Sequence, residues 1–287
     1  MSRLAFLSIS LFISASVWAG ADVGWIEKIR GAPTAVQIIR DGKRIDATQF
    51  LPLQNGDQIY VETVATTVEL SFANGKNLTI RQGQRETVTQ SGEVPSVAGN
   101  LMSWIASLAR SDKKKSNVVL ASSRDTGEGT GLSIPLLKDD NTLIAGDREM
   151  ALAWHGGKAP YELKLVQRET QKIGAHFKGL MHNRLLEKVS ITPGIYELVV
   201  SDSVGDTWRE KLIVVSETRL PEAPESLNVF PSHLKEILTA LWLAGIDDGR
   251  WVLEAYTLIA RQAHQEAPGV EAVMQAFEAG RVPGADQ

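Results

Sequence analysis

The sequence contains no cysteine among its 287 residues. This absence excludes disulfide bonds, thiolate zinc sites, a cysteine nucleophile and the lipid-modified cysteine of lipoproteins. An excess of basic charge is also absent, because 34 acidic residues outnumber 30 Lys and Arg and the formal net charge is -4. A chain of this charge is not typical of nucleic-acid-binding proteins, which need a basic face.

Long apolar runs are scarce, and the clearest one stands at the N-terminus. Arg3 precedes an uncharged stretch over residues 4–17, which is shorter than the roughly 20 residues that span a bilayer. Val17 and Ala19 are small residues at the -3 and -1 positions of a cleavage site after Ala19, and a second site would follow Ala21. This order predicts a secretory signal peptide over residues 1–19 and a periplasmic mature protein without a transmembrane span. An uncleaved membrane anchor is the alternative.

Residues 23–90 show the alternation of a β-domain. Apolar residues recur at every second position in four short segments, which places them on one face of each strand. Asp41-Gly42, Asn55-Gly56 and Asn74-Gly75 are dipeptides that close tight turns, and the first predicts a β-hairpin. The pattern predicts a small antiparallel sandwich or barrel.

The same stretch resembles a FecR-type sensor domain. The matching positions follow in order: the hairpin at Asp41-Gly42, then Leu53, the run Gly56-Asp57-Gln58-Ile59, Thr63 and the strand end at Phe72-Ala73-Asn74-Gly75. The resemblance covers about a quarter of the chain and implies a domain that senses or binds proteins or envelope glycans. Members that regulate sigma factors carry a helical domain and a membrane helix before this domain, so we expect no direct control of a sigma factor here.

Residues 91–131 predict a helix and a linker. Four apolar residues stand at helical spacing, namely Leu101, Trp104, Ile105 and Leu108. We expect this helix to cap the β-domain, with Lys113–Lys115 on a solvated linker. The alternative is an amphipathic helix that makes peripheral contact with a membrane or a partner.

Residues 132–216 return to strand alternation. The segments around Trp154, Tyr161 and Tyr196 resemble immunoglobulin-like or fibronectin-type β-sandwiches of bacterial surface proteins, with Trp154 inside a strand. A final hairpin is expected around residues 203–206. Residues 217–230 carry two prolines among acidic residues and predict a second linker.

Residues 231–281 change to helical spacing and predict an α-helical hairpin with the start of a third helix. This end resembles a tetratricopeptide-like unit, which cannot bury its apolar face alone and should pack on the sandwich or on a partner. The segment 231–287 has 4 Lys and Arg against 8 Asp and Glu. The predicted fold class is therefore mainly β with an α-helical C-terminus.

Chemical motifs give little support to catalysis. No two histidines have the spacing of a zinc-binding helix, although His176 and His182 would share one face of a strand. No nucleophile elbow is found, and the glycine-rich residues 127–131 lack the context of a phosphate loop. Asp247-Asp248 is interpreted as a helix cap, and Asp57 as a residue that fixes a turn. The sequence thus predicts no enzyme, no cofactor and no metal.

Tryptophans supply the candidate contact residues. Trp25 and Trp208 are expected near strand ends, where an exposed aromatic ring could bind a partner or stack on a sugar. The leading hypothesis is an exported envelope protein that acts as a non-catalytic sensor or scaffold and binds an envelope protein, peptidoglycan or another glycan. The alternatives are an adaptor whose C-terminal helices dock a partner, and an envelope enzyme of an unrecognised type.

Overall fold

The computed structural model describes residues 20–115, 131–137, 140–263 and 270–284, with the backbone alone for residues 109–115. The predicted signal peptide lies outside these residues. The strands are β1 (Asp22–Arg30), β2 (Val36–Arg40), β3 (Lys43–Asp46), β4 (Pro52–Gln54), β5 (Gln58–Val61), β6 (Thr67–Phe72), β7 (Asn77–Ile80), β8 (Arg85–Thr87), β9 (Asn141–Ile144), β10 (Gly146–Ala153), β11 (Tyr161–Gln167), β12 (Ile173–Leu180), β13 (Arg184–Ile191), β14 (Gly194–Ser201) and β15 (Thr207–Val215). The helices are α1 (Ser96–Lys115), α2 (Ser232–Gly245), α3 (Val252–Ala263) and α4 (Val270–Glu278). Short 3-10 turns cover Pro33–Ala35, Glu217–Arg219, Glu225–Val229 and Asp247–Gly249.

Strands β1–β8 form the first sandwich, in two four-stranded antiparallel sheets. One sheet has the order β4-β1-β6-β7 and the other β3-β2-β5-β8. The alternating residues meet between the sheets, where Ile38, Ile59 and Val68 are fully buried. Of the two forms left open by the sequence, the sandwich is correct, and the described strands form no closed barrel.

Two of the predicted turns close hairpins of this sandwich. Asp41 and Gly42 have φ values of 50° and 73° between β2 and β3, which pair Arg40 with Lys43. Positive φ at both central residues is the requirement of a two-residue hairpin, and Asp and Gly tolerate it. Gly75 closes β6 onto β7 in the same region of φ. The turn at Asn55-Gly56 has another role, because it carries the chain from one sheet to the other.

Strands β9–β15 form an immunoglobulin-like sandwich. A five-stranded sheet of order β12-β11-β14-β15-β9, in which β9 runs parallel to β15, faces the pair β10-β13. At the start of β14 the hydroxyl of Tyr196 donates to the carbonyl oxygen of Thr192 at 3.0 Å. This tyrosine corner is typical of immunoglobulin domains. Leu198, two residues on and fully buried, stands where antibody domains place a disulfide cysteine.

Trp154 lies at the centre of the second core, although not inside a strand as expected. Strand β10 ends at Ala153, and Trp154 follows it with no exposed surface. Its ring meets that of Tyr161 edge to face at 5.3 Å. The alternation that predicted a strand through residue 154 therefore identified a core position correctly but placed the strand end one residue too late.

The four helices pack together, although α1 is separated from the others by the whole second sandwich in the sequence. Helix α1 contacts α2 and α4, and α3 lies between α2 and α4. Ala106 of α1 belongs to the core of the first sandwich, while the other buried apolar residues of α1 belong to a larger cluster that includes α2, α3 and α4. The expectation that α1 only caps the first β-domain is therefore incomplete. The helix also continues to Lys115, so Lys113–Lys115 belong to it and not to a linker.

Helix α3 covers the edge of the second sandwich. It packs against β9 and β10, and the hydroxyl of Thr257 accepts a hydrogen bond from the backbone N–H of Ala151 at 3.1 Å. Arg148 of β10 forms a bidentate ion pair with Glu254 of α3. An uncovered edge strand would offer its backbone groups to other chains. The predicted need of the C-terminal helices for a packing partner is thus met within the chain.

One apolar cluster runs through all three units. It includes Trp25 and Phe50 of the first sandwich, most of α1, the interior of the second sandwich and the buried faces of α2, α3 and α4. A second cluster fills the first sandwich. The domain boundaries drawn from the sequence stay predictions, but a shared core of this extent couples the stability of the units. Among the described residues, no helix is both long and apolar enough to cross a membrane.

Candidate functional site

Trp25 is buried, so the expectation that it is exposed is wrong. It is 3% exposed, and its ring centroid lies 5.1 Å from that of Phe230, in the segment that leads into α2. Its indole N–H donates to Glu27 at 2.6 Å, and the other carboxylate oxygen of Glu27 lies 2.8 Å from Nε2 of His233. Trp25 thus joins the first sandwich to the helical unit.

Trp208 is half-buried on β15, where it pairs with Val200 and packs against the large apolar cluster. The expectation of a position near a strand end is confirmed, since β15 begins at Thr207. A direct contact of Trp208 with a partner stays a prediction. The structure does not bring Trp25 and Trp208 together as one site, because they lie in different sandwiches.

The histidines are dispersed over the described residues. Nε2 of His176 on β12 lies 2.5 Å from the carboxylate of Glu162. This hydrogen bond, and a second one from Lys164, hold the pKa of the Glu162 carboxyl below its ordinary value. His182 lies beyond the end of β12, so the predicted shared strand face does not form. Among the residues that the structure describes, no three His, Asp or Glu side chains are grouped as metal ligands. His264 lies outside them.

Asp57 is a buried charged residue of the first sandwich. It accepts the backbone N–H of Gln54 at 2.9 Å, which confirms the turn-fixing interpretation. It also receives two hydrogen bonds from Arg40, at 2.8 and 2.7 Å, and its side chain is fully buried. Arg40 further donates to the carbonyl oxygen of Pro52. Sequence reasoning missed Arg40, because nothing in the local pattern distinguishes it from a solvated strand residue.

Replacing Asp57 should destabilise the protein strongly. In Asp57→Ala the guanidinium of Arg40 loses its partner in a largely buried place, and we expect a loss of about 3 kcal/mol in the free energy of unfolding. Glu69→Ala is the matched control, because its ion pair with Arg30 is exposed and should contribute under about 1 kcal/mol. Urea unfolding of both variants measures the difference. Equal losses would contradict the assigned role of Asp57.

Asp247 and Asp248 lie between α2 and α3 with φ values of 50° and 56°. Asp247 accepts a hydrogen bond from the indole N–H of Trp251 at 3.1 Å. Its carboxylate thus fixes the side chain that precedes α3, instead of capping the backbone of that helix as expected. Asp248 is exposed.

A charged cluster connects the second sandwich to α3 and α4. Glu278 accepts a hydrogen bond from the hydroxyl of Tyr256 at 2.6 Å and forms an ion pair with Arg184 at 2.7 Å. Burial is the main cause that raises the pKa of Tyr256 well above its ordinary value, and this hydrogen bond raises it further. Tyr256 therefore stays protonated and acts as a donor, and the cluster serves to connect elements.

A wide cleft of about 650 Å³ lies beside β10 and β13. Its five charged lining residues are of both signs, Asp147 and Glu149 against Arg148, Lys188 and Arg261. Three of them are in ion pairs, since Arg148 binds Glu254 and Arg261 lies 3.5 Å from Glu149. The mixed charge of the lining therefore selects neither an anionic nor a cationic ligand.

An apolar groove between α1 and α2 is the better candidate for a recognition surface. We call it the α1–α2 groove; its volume is about 220 Å³, and its ten lining residues are all uncharged. They are Val97, Asn100, Leu101, Trp104, Leu241, Trp242, Gly245, Ile246, Pro283 and Gly284. Trp104 and Trp242 are both half-buried, so each ring is partly fixed and partly accessible. This combination is typical of residues that anchor protein interfaces.

The helix periods explain how the groove arises. On α1 the buried row Ala98, Met102 and Ile105 faces the core, and Trp104 lies at the border of this row. On α2 the buried residues Leu238 and Leu241 place Trp242 at the equivalent border. Gly245 lets the C-terminal segment approach, because a Cβ atom there would lie 3.0 Å from the carbonyl oxygen of Pro283. The sequence showed both amphipathic faces, but not that they would lie side by side.

No protein-family model and no curated protein sequence matches the chain. The FecR-type interpretation of residues 23–90 therefore stays a prediction.

Among solved structures, partial likenesses are found to β-sandwich proteins. CopC from Methylosinus trichosporium OB3b is 16% identical over 29% of this chain and 91% of its own, with a TM-score of 0.22. The first immunoglobulin domain of ZIG-8 is 10% identical over 38% of this chain and 98% of its own, with a TM-score of 0.19. The Bacteroides ovatus protein SGBP-B, solved with a mixed-linkage heptasaccharide, is 11% identical over 69% of this chain and 44% of its own, with a TM-score of 0.21.

Proposed function

We propose that this chain is an exported protein of the bacterial envelope that works as a non-catalytic protein-binding scaffold. The observation that carries the proposal is the α1–α2 groove, where two half-buried tryptophans border an uncharged surface on a rigid support. Rigid aromatic side chains in apolar surroundings contribute large contact area at low entropic cost on binding. The leader over residues 1–19 supplies the route to the periplasm, and residues 23–90 act as a FecR-type sensor unit.

Photo-crosslinking in intact cells of the native bacterium tests this function. A photoreactive residue at position 97, in the groove, should give a discrete adduct of higher mass. The matched control is position 64, because Val64 is 80% exposed on the first sandwich and does not line the groove. Mass spectrometry of the envelope fraction should give an N-terminus at Gly20 or Asp22. An unprocessed chain confined to the cytosol, or the same adducts from both positions, would contradict the proposal.

A further inference from the structure

We infer that the α1–α2 groove binds a cationic amphipathic helix of a partner protein, an inference that rests on the proposed function and specifies its ligand. The size of the groove is the first reason. Pockets for small molecules and cofactors commonly enclose about 300–1,000 Å³, whereas this groove holds about 220 Å³. A space of this size suits one or two large apolar side chains that project from a helix.

The shape of the groove is the second reason. It follows the line between two packed helices, from Val97 and Leu101 on α1 to Leu241 and Gly245 on α2. A third helix can lie in such a depression and insert side chains at positions i, i+3, i+4 and i+7. Val97 is 36% exposed although it is apolar. A partner helix would remove its side chain from water.

Charge is the third reason, and it selects a cationic helix. The groove itself has no charge, and its α2 end leads directly into Asp247 and Asp248. The C-terminal carbonyl groups of α2 add a partial negative charge at the same end. Asp247 and Asp248 are both exposed, whereas Glu254, Glu271 and Glu278 are paired with arginines of the second sandwich. Lys or Arg side chains beside the apolar row of a partner would meet this charge, whereas Glu or Asp would be repelled.

Synthetic peptides test the inference without knowledge of the natural partner. The probe is a peptide of about 18 residues, or five helical turns, with leucine at i, i+3, i+4 and i+7 and lysine elsewhere. One control has glutamate in place of lysine, and the other has the leucine and lysine composition in scrambled order. Fluorescence anisotropy of each labelled peptide with the mature protein gives the dissociation constants. We expect the first peptide to bind at least about tenfold more tightly than either control.

Variants of the protein locate the binding. Val97→Lys places a charge in the groove at an already exposed position and should weaken binding of the leucine–lysine peptide about tenfold. Val64→Lys makes the same change of charge on the first sandwich and should leave binding unchanged. Asp248→Asn should weaken it a few fold, and Asn tolerates the positive φ there.

Three results would overturn the inference. They are equal binding of the glutamate peptide, binding that persists in Val97→Lys, and self-association that Val97→Lys abolishes while the peptide does not bind. The last result would assign the groove to a second copy of this chain. Crosslinks from position 97 in cells, without binding of the cationic peptide, would leave the proposed function standing and reject its cationic ligand.

Discussion

A chain that ends before residue 231 lacks α2, α3 and α4, and we expect its second sandwich to be unfolded as well. Helix α3 covers β9 and β10, where Leu143, Met150 and Ala151 are at most 1% exposed. Exposure of each large apolar side chain costs about 1.5–3 kcal/mol. Several such side chains together cost an amount comparable with the roughly 5–15 kcal/mol that stabilises a typical domain. The truncation also removes Glu254, the partner of Arg148, and His233, which contacts the Glu27 carboxylate that Trp25 binds.

Thermal unfolding by circular dichroism and limited proteolysis measure this result. The truncated chain should show no cooperative transition for residues 132–216 and should be cleaved within that region. The full mature chain without its last three residues, 285–287, is the control and should behave like the intact protein. If the truncated chain keeps a sandwich with an unchanged midpoint, α3 is not part of its core. The adaptor hypothesis, with helices separable from the β-domains, would then regain support.

The sequence predicted much of the local structure of the described residues. Alternation located the buried face of β2, β5 and β6, and the dipeptides Asp41-Gly42 and Asn74-Gly75 located two hairpins, because both signals depend on nearest neighbours. The helical spacing of Val270, Val273 and Phe277 likewise identified a buried face. Alternation was less informative in β10, where Ala151 and Ala153 are as buried as Met150 and Leu152, because α3 packs against that strand.

The arrangement of the units could not be predicted in the same way. The groove joins Trp104 to Trp242, and the core joins Trp25 to Phe230, across more than a hundred residues of sequence. Single-sequence patterns carry no information on such pairs, since an amphipathic helix shows that a face is buried but not what covers it. The same limit explains Trp25. A predicted position near a strand end suggested exposure, but Trp25 lies within β1 and is part of the core, where its ring contacts that of Phe230.

Removal of the ion pair between Arg148 and Glu254 should show how much the contact with α3 contributes to the stability of the second sandwich. The side chain of Glu254 is 4% exposed, and its carboxylate also accepts the backbone N–H of Ile144 at 3.2 Å. In Arg148→Met this carboxylate stays buried without its cation, which should cost about 3–5 kcal/mol. Arg261→Met is the control, because its contact with Glu149 is exposed and should contribute under about 1 kcal/mol.

The double variant Arg148→Met with Glu254→Leu separates the ion pair from the packing. Removal of both charges avoids an unpaired buried carboxylate, and apolar side chains of similar size can replace a buried pair with little loss. The double variant should therefore recover most of the stability that Arg148→Met loses. Denaturant unfolding of the single and double variants measures this coupling. If the double variant is no more stable than Arg148→Met, the single loss comes from packing at Arg148, and the buried charge of Glu254 is not its cause.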